Sequence, residues 1–100
     1  MSHHGIQLDR NTLSKFCRQK GILRLSLFGS ILREDFGPKS DVDVLVEFDS
    51  RHISTLLDMV QMEMELTRIV GRKVDFRTPE DLSRQIREQV IRAAEVQYAA

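Results

Sequence analysis

The sequence predicts a small α/β (α+β) domain in which about four helices pack on a three-stranded mixed sheet. Strand-like and helix-like hydrophobic patterns alternate along the chain, and a few strands alternating with helices form a small sheet that helices cover. The chain has 100 residues, of which 41% are apolar and 30% charged, as is typical of one globular domain. We therefore expect one domain over residues 1–100, with a flexible N-terminus over residues 1–8.

The first half of the chain predicts a helix and two strands. The first helix can be capped by Asp9 or Asn11, and it ends before a glycine. Residues 22–28 alternate in part between apolar and polar and predict the first strand, which a Gly-Ser pair then breaks. A short helical turn and a loop rich in turn-forming residues follow. Residues 41–48 predict the second strand.

The second half predicts the longest helix, a third strand and a last helix. The long helical pattern covers residues 53–70, and residues 73–77 predict the third strand. The last helix is expected to begin at Thr78-Pro79, because a threonine cap, a proline at the first helical position and acids in the first turn are typical start signals. One face of this helix carries Leu82, Ile86, Val90 and Ala93 or Ala94.

The long helix carries two apolar stripes on different sides. One consists of Ile53, Leu56, Leu57, Val60 and Met64. The other consists of Met59, Met62, Leu66, Ile69 and Val70. One stripe must pack on the sheet. The second is either covered by the first or last helix, or binds a partner or a second copy of the chain, a role that suits methionine-rich surfaces.

Charge and cysteine content argue against several classes of function. Fifteen basic residues balance fifteen acidic ones, so the chain has no overall electrostatic reason to hold a polyanion, and general nucleic-acid binding is not expected. Cys17 is the only cysteine and lies on an apolar helix face, which favours a core thiol and a reducing cytoplasm. Neither a signal peptide nor an apolar run of membrane-spanning length is evident.

Two aspartates head the second predicted strand on the same face. Residues two apart on a strand point to the same side, so Asp41 and Asp43 project together. Like charges so close repel each other and are costly to desolvate, and a divalent cation removes that cost. Mg²⁺ is usually held by one or two carboxylates, waters and phosphate oxygens. The pair therefore indicates a magnesium site; the alternative is a solvated strand end at which Asp41 closes a turn.

The Gly-Ser pair and a third aspartate extend this candidate site. Gly29 lets the backbone approach a ligand closely, and the Ser30 hydroxyl with free N–H groups can hold phosphate. The short connection between the first two strands lets them run antiparallel, which places Ser30 beside the start of the second strand. The third strand can run parallel to the second. If Asp75 shares their face, three carboxylates meet at one edge, as suits a two-metal site for phosphoryl transfer.

A small basic patch at the end of the long helix consists of Arg68, Arg72 and Lys73. The simplest interpretation is a solvated helix end, where positive charge is favourable for the helix dipole. The alternative is contact with a nucleotide or an acidic partner.

The candidate site resembles the signature of the polymerase-β-type nucleotidyltransferase superfamily. That signature has a Gly-Ser pair, ten further residues and an Asp-Val-Asp run, followed by an aspartate on a later strand, here Asp75. Three flanking features are similar to the minimal nucleotidyltransferase (MNT) family, whose members are single-domain proteins of about this length. They are Arg33 after the Gly-Ser pair, a proline two residues before Ser40, and the run VDFRTPEDL that begins at Val74. The resemblance covers nearly the whole chain.

The resemblance implies the nucleotidyltransferase fold and a role for each site residue. Gly29 and Ser30 are expected to bind the triphosphate of ATP. Asp41 and Asp43 are expected to bind two Mg²⁺ ions, and Asp75 to bind the catalytic metal and help to activate an acceptor hydroxyl. A supporting role toward the nucleotide or the loop is expected of Arg33.

The resemblance also implies a partner. Similar family members are antitoxins that pair with HEPN-domain toxins, and some transfer AMP from ATP to a hydroxyl of the toxin. We therefore expect AMPylation of a HEPN-type partner, with a homodimer through residues 53–70 as a further possibility. Two alternatives stay open: an antitoxin that neutralises its partner by binding only, and nucleotidyl transfer to a small molecule or an RNA end.

Overall fold

The structure is a computed structural model that describes residues 2–49, 51 and 55–100. Over these residues the chain forms six strands, three α-helices and two 3-10 turns. In chain order they are β1 (Ser2–His3), β2 (Ile6–Gln7), α1 (Arg10–Lys20), β3 (Ile22–Phe28), a 3-10 turn (Gly29–Leu32), β4 (Val42–Phe48), α2 (Leu56–Val70), β5 (Val74–Arg77), a second 3-10 turn (Pro79–Asp81), α3 (Arg84–Ala93) and β6 (Glu95–Ala99). In the described ranges, no helix has the length and apolar character needed to cross a membrane.

A four-stranded mixed sheet in the order β5-β4-β3-β6 forms the centre of the fold. Strand β3 is antiparallel to both of its neighbours, and β4 is parallel to β5. The mixed sheet is as predicted, but the prediction of three strands is wrong by one. The missing strand is β6, in which Tyr98 lies opposite Leu25 of β3. Its five residues directly follow a helical pattern, and no element was predicted for them.

The core lies between one face of this sheet and helices α1 and α2. Alternate residues of β4 point into it, and Val42, Val44 and Val46 are all buried. The capping side chain of Asp9 accepts from the N–H of Thr12 at the start of α1, as predicted. Helix α1 contributes Leu13, Phe16 and Cys17 to the core, which confirms that Cys17 is a core thiol.

Helix α2 begins later than predicted. Thr55 caps it and forms a capping box with Asp58, so that the helix starts at Leu56 rather than at residue 53. The predicted residues Ile53 and Ser54 lie outside the described part of the chain. The end at Gly71 is as predicted, because this residue adopts the left-handed conformation that glycine favours, with φ of 81°.

The two stripes of α2 have different environments. Met62 and Leu66 are buried in the core, and Met59, Ile69 and Val70 pack partly against it. The described members of the other stripe are exposed, from 45% at Val60 to 82% at Leu56. The interpretation that the first or last helix covers this stripe is therefore wrong.

The last helix also begins later than predicted. Thr78 caps only the short 3-10 turn, by donating to the side chain of Asp81. Leu82 then leaves the helical conformation, with φ of −87° and ψ of 142°, and is buried. Helix α3 starts at Arg84 and has no buried residue, and Ile86 on its apolar face is exposed.

The N-terminal residues form a hairpin in the structure. Strands β1 and β2 pair in antiparallel register, and the flexibility of residues 1–8 stays a prediction. Ile6 and Leu8 are buried in the core cluster. This burial of two large apolar side chains gives the terminus a reason to be ordered.

Candidate active site

The Gly-Ser turn lies against the start of β4. Gly29 directly follows β3 with φ of 75°, and a β-carbon built on it would lie 2.2 Å from Oδ2 of Asp43. Only glycine fits there, because any side chain would both strain the backbone and overlap the carboxylate. The N–H of Ser30 donates a hydrogen bond to that same carboxylate. The structure thus brings Gly29, Ser30 and Asp43 together, as the antiparallel strand pair predicts.

Asp43 and Asp75 lie opposite each other on neighbouring parallel strands. The register of β4 and β5 pairs Asp43 with Asp75 and Val42 with Val74. Because strand residues alternate between faces, both aspartates lie on the face opposite the buried valines. Asp41 precedes Asp43 by two residues, at the end of the loop that leads into β4. This surface, which carries Asp41, Asp43 and Asp75, is called the aspartate face below.

Burial and neighbouring negative charges disfavour the ionised form of Asp43. Burial raises the pKa of Asp43 above its usual value, and the negative charges of Asp75 and Asp41 raise it further. The positive charge of Arg77 and the hydrogen bond from Ser30 act in the opposite direction. The face therefore holds carboxylates whose ionised forms a bound cation would stabilise. Carboxylate oxygens are the hard ligands that Mg²⁺ prefers, so the donor chemistry fits this ion.

Asp75 forms an ion pair with Arg77 of the same strand. The Nε of Arg77 donates to Oδ1 of Asp75 at 2.9 Å, and Nη2 donates to Oδ2 at 3.3 Å. Among the described residues, no group of three or more His, Cys, Asp or Glu side chains is arranged to hold a metal ion. The three aspartates share a face and an electrostatic environment, and side-chain rotation is needed before they share an ion.

Arg77 is a site residue that the sequence analysis missed. It follows Asp75 by two residues on β5 and therefore points to the same face. The same period-two rule that grouped Asp41 with Asp43 would have found it.

Arg33, which was expected to support the nucleotide or the loop, lies at the end of the Gly-Ser turn. Its N–H donates to the carbonyl oxygen of Ser30 at 2.9 Å, which closes the turn. Its guanidinium donates to Asp35 at 3.2 Å, and both side chains are largely exposed.

A surface groove of about 450 Å³ lies on the other side of the sheet, between α2 and the end of β5. Its lining includes Phe48, Met59, Val60 and Phe76. Phe76 has the opposite strand orientation to Asp75, and none of the three aspartates lines the groove. The candidate active site is therefore the aspartate face, where ionisable groups converge, and not this groove.

The chain matches the model of a known protein family. The family is described as the nucleotidyltransferase domain, and the match covers residues 10–97. This range contains the Gly-Ser turn and the entire aspartate face.

Several curated proteins and solved structures are similar to the chain, among them the three that follow. Protein adenylyltransferase MntA of Thermococcus cleftensis is 35% identical over 72 residues, which cover 72% of this chain and 71% of that protein. A solved structure described as a minimal nucleotidyltransferase superposes with a TM-score of 0.70 at 34% identity, over 85% of each chain.

The third is the structure of a tri-AMPylated HEPN toxin of Shewanella oneidensis in complex with an MNT antitoxin. It superposes with a TM-score of 0.64 at 18% identity, over 91% of this chain and 70% of that chain. At this identity the likeness concerns the fold alone. The predicted nucleotidyltransferase fold is confirmed.

Proposed function

The chain belongs to the nucleotidyltransferase domain family and is a nucleotidyltransferase, and from this premise we propose that it transfers AMP from ATP to a hydroxyl of a partner protein in the presence of Mg²⁺. The proposed partner is a HEPN-type toxin, which the chain would silence as its antitoxin. The observation that carries the proposal is the register match of Asp43 with Asp75 beside the Gly29 turn.

The aspartate face is the proposed site for two Mg²⁺ ions. Asp41 and Asp43 would hold both ions, and Asp75 would hold the one nearer the acceptor. Bound Mg²⁺ supplies neutralisation of charge on the phosphate oxygens. Support for this comes from the pKa of Asp43, which burial and the charges of Asp75 and Asp41 raise, since a bound cation stabilises the ionised carboxylate.

The Gly-Ser turn is the proposed site of the triphosphate. The absence of a side chain at Gly29 lets phosphate oxygens approach the backbone, and the hydroxyl of Ser30 is a hydrogen-bond donor beside the carboxylates. The acceptor oxygen attacks the α-phosphorus in line, the bond to the bridging oxygen of the β-phosphate breaks, and pyrophosphate leaves. Asp75 would accept the proton of the hydroxyl once its ion pair with Arg77 has opened.

The choice of partner and transferred group rests on similar proteins. The Thermococcus cleftensis relative is named a protein adenylyltransferase, and the Shewanella oneidensis complex joins an MNT antitoxin to an AMPylated HEPN toxin. The proposal extends both properties to this chain.

A binding-only antitoxin is the second candidate. The observation that favours it is the bidentate ion pair between Asp75 and Arg77, which occupies a carboxylate that catalysis needs. Neutralisation through contact alone would not depend on the aspartate face.

Self-association through α2 stays a prediction. A second copy would bury the exposed stripe of Leu56, Leu57, Val60 and Met64. Light scattering of the wild-type chain and of Leu57→Glu would measure it, with a dimer expected only for the wild type.

The mass of the HEPN-type partner after incubation with the chain, ATP and Mg²⁺ tests the proposed function. We expect an increase of one or more AMP units with the wild type and none with Asp43→Ala. The matched control is Asp35→Ala, since Asp35 is an exposed aspartate away from the aspartate face. An unmodified partner that the wild type and Asp43→Ala neutralise equally would establish the binding-only antitoxin instead.

A further inference from the structure

The loop between the Gly-Ser turn and Asp41 is held by an arginine from a distant part of the chain. Arg72 lies in the connection between α2 and β5, directly after Gly71. Its Nη2 donates to the carbonyl oxygen of Gly37 at 2.9 Å and to that of Ser40 at 2.7 Å. These contacts join positions that are 35 and 32 residues apart in the sequence.

The same guanidinium also contacts an aromatic ring of the loop. The central carbon of Arg72 lies 4.8 Å from the ring centroid of Phe36, within the range of a cation–π interaction. Phe36 is buried and belongs to the core cluster, so its side chain attaches the loop to the core. His4 of the N-terminal hairpin stacks on this ring at 4.9 Å, and its Nε2 lies 3.1 Å from the carbonyl oxygen of Ile31.

Asp41 is fixed through the residues on both sides of it. Arg72 holds the carbonyl of Ser40 on the N-terminal side. On the C-terminal side, the N–H of Val42 donates to the carbonyl oxygen of Lys73 at 2.8 Å. Two consecutive residues of the α2–β5 connection therefore bracket Asp41, and β5 itself carries Asp75.

The end of the loop has its own closed hydrogen-bond pattern. The N–H of Ser40 donates to the carbonyl of Gly37, and the N–H of Gly37 donates to the hydroxyl of Ser40, both at 3.0 Å. Because Arg72 contacts the carbonyls at both ends of this turn, it holds the turn as one unit. A lysine ammonium can also donate to two carbonyls, but it has no planar group that stacks on the Phe36 ring at the same time.

This geometry corrects one interpretation of the basic patch. Arg72 is half-buried against the loop and is not part of a solvated helix end, whereas Arg68 is exposed. Arg68 lies in the last turn of α2, four residues before Arg72, which makes it a matched control.

We propose that Arg72 is a positioning residue for nucleotidyl transfer, which sets Asp41 against the Gly-Ser turn through its hold on Ser40 and Phe36. The inference rests on the proposed function of the aspartate face. The α2–β5 connection thereby aligns the two strands at which the aspartates lie, β4 and β5.

The test compares Arg72→Lys and Arg72→Met with Arg68→Lys. Three quantities are measured: amide hydrogen exchange at Ser40 and Val42, the affinity for Mn²⁺ in the absence of nucleotide, and kcat and KM for AMP transfer. We expect faster exchange at both amides and Mn²⁺ binding weakened by about tenfold, the size of effect that supporting residues have on metal sites. We also expect kcat to fall more than KM rises, while Arg68→Lys matches the wild type in all three.

Two outcomes would overturn the inference. One is unchanged exchange at Ser40 and Val42 in both Arg72 variants. The other is faster exchange with unchanged Mn²⁺ affinity, since the loop would then loosen without disturbing Asp41. A wild type that binds Mn²⁺ but transfers no AMP would overturn the proposed function and leave Mn²⁺ affinity to decide the role of Arg72. A wild type that binds no Mn²⁺ would overturn both.

Discussion

Gly29 and Asp43 approach so closely that no side chain fits between them. A β-carbon at Gly29 would lie 2.2 Å from Oδ2 of Asp43, far inside contact distance. The contact joins the end of β3 to the start of β4. The proposed phosphate site therefore lies directly beside the proposed metal site, and this arrangement requires that residue 29 has no side chain.

Gly29→Ala should abolish most of the transfer activity. Alanine in the left-handed conformation costs about 1–2 kcal/mol, and at Gly29 it must also displace the carboxylate. We expect transfer to fall by about 100-fold, the loss that a misplacement of about 1 Å can cause. Urea unfolding and the rate of AMP transfer measure the two effects.

Gly71→Ala is the matched control for this variant. Gly71 has a similar φ of 81°, but a β-carbon there would meet nothing within 4 Å. It should show the cost in stability without the loss of activity. Equal activity of the two variants would contradict the importance of the Gly29–Asp43 contact.

Asp43→Asn should stabilise the protein at neutral pH while it inactivates the enzyme. Burial and the charges of Asp75 and Asp41 raise the pKa of Asp43 in the folded state, so folding favours the protonated form. Above the unfolded pKa of 3.8 the ionised carboxylate is therefore a cost, which asparagine removes. We expect Tm to rise by a few degrees at pH 7, since about 1 kcal/mol corresponds to about 4–8 °C for a domain of this size.

The gain should disappear as the pH falls below the unfolded pKa of 3.8, because Asp43 is then protonated in both states. Thermal unfolding between pH 3 and pH 8 checks this dependence, with Asp35→Asn as the exposed control. A Tm difference that persists at the lowest pH would show that charge is not its cause.

Arg77→Gln should strengthen the binding of Mn²⁺ in the absence of nucleotide. Arg77 donates to both oxygens of Asp75, so its removal frees a carboxylate and removes a competing positive charge. Since exposed ion pairs contribute about 0.2–1 kcal/mol, the affinity should rise by up to about fivefold. Titration calorimetry measures it, with Arg92→Gln as the control, since Arg92 pairs with Glu88 on α3. Weaker binding in Arg77→Gln would mean that the arginine orients Asp75 for the metal.

Cys17 should be unreactive toward thiol reagents while the protein is folded. Burial raises the pKa of its thiol to about 12 from a usual value of 9.0, and the reactive thiolate is therefore scarce at pH 8. A thiol reagent that forms a mixed disulfide should label Cys17 in every chain in guanidinium chloride. Without denaturant, it should label less than about one chain in ten. The preference for the protonated thiol contributes stability that is complete below pH 9 and is lost as the pH rises toward 12. Rapid labelling of the folded chain would contradict its place in the core.

Local patterns predicted the elements that local chemistry determines. The strand over Ile22–Phe28 was predicted with its correct bounds, because partial alternation precedes a glycine that only a turn accepts. The grouping of the Gly-Ser turn with Asp43 followed from a short connection, which forces antiparallel neighbours. The placement of Asp75 on the same face followed from period-two alternation once β4 and β5 run parallel.

Contacts between distant segments were out of reach of such patterns. The hold of Arg72 on the carbonyl of Ser40 spans 32 residues, and an arginine after a helix-ending glycine carries no local sign of it. Strand β6 exists because β3 has a free edge to pair with, a property of the sheet and not of its five residues. The 3-10 turn after Thr78 stops early because Leu82 is buried, and a capping signal gives no measure of helix length.

The most direct measurement follows a radioactive phosphorus from ATP in two parallel reactions of the chain with its HEPN-type partner and Mg²⁺. One reaction carries the label on the α-phosphate and the other on the γ-phosphate. We predict that the α-label appears on the partner, that the γ-label appears in pyrophosphate, and that both transfers vanish in Asp43→Asn. Label from the γ-phosphate on the partner, or no label on the partner from either position, would contradict AMP transfer by the aspartate face.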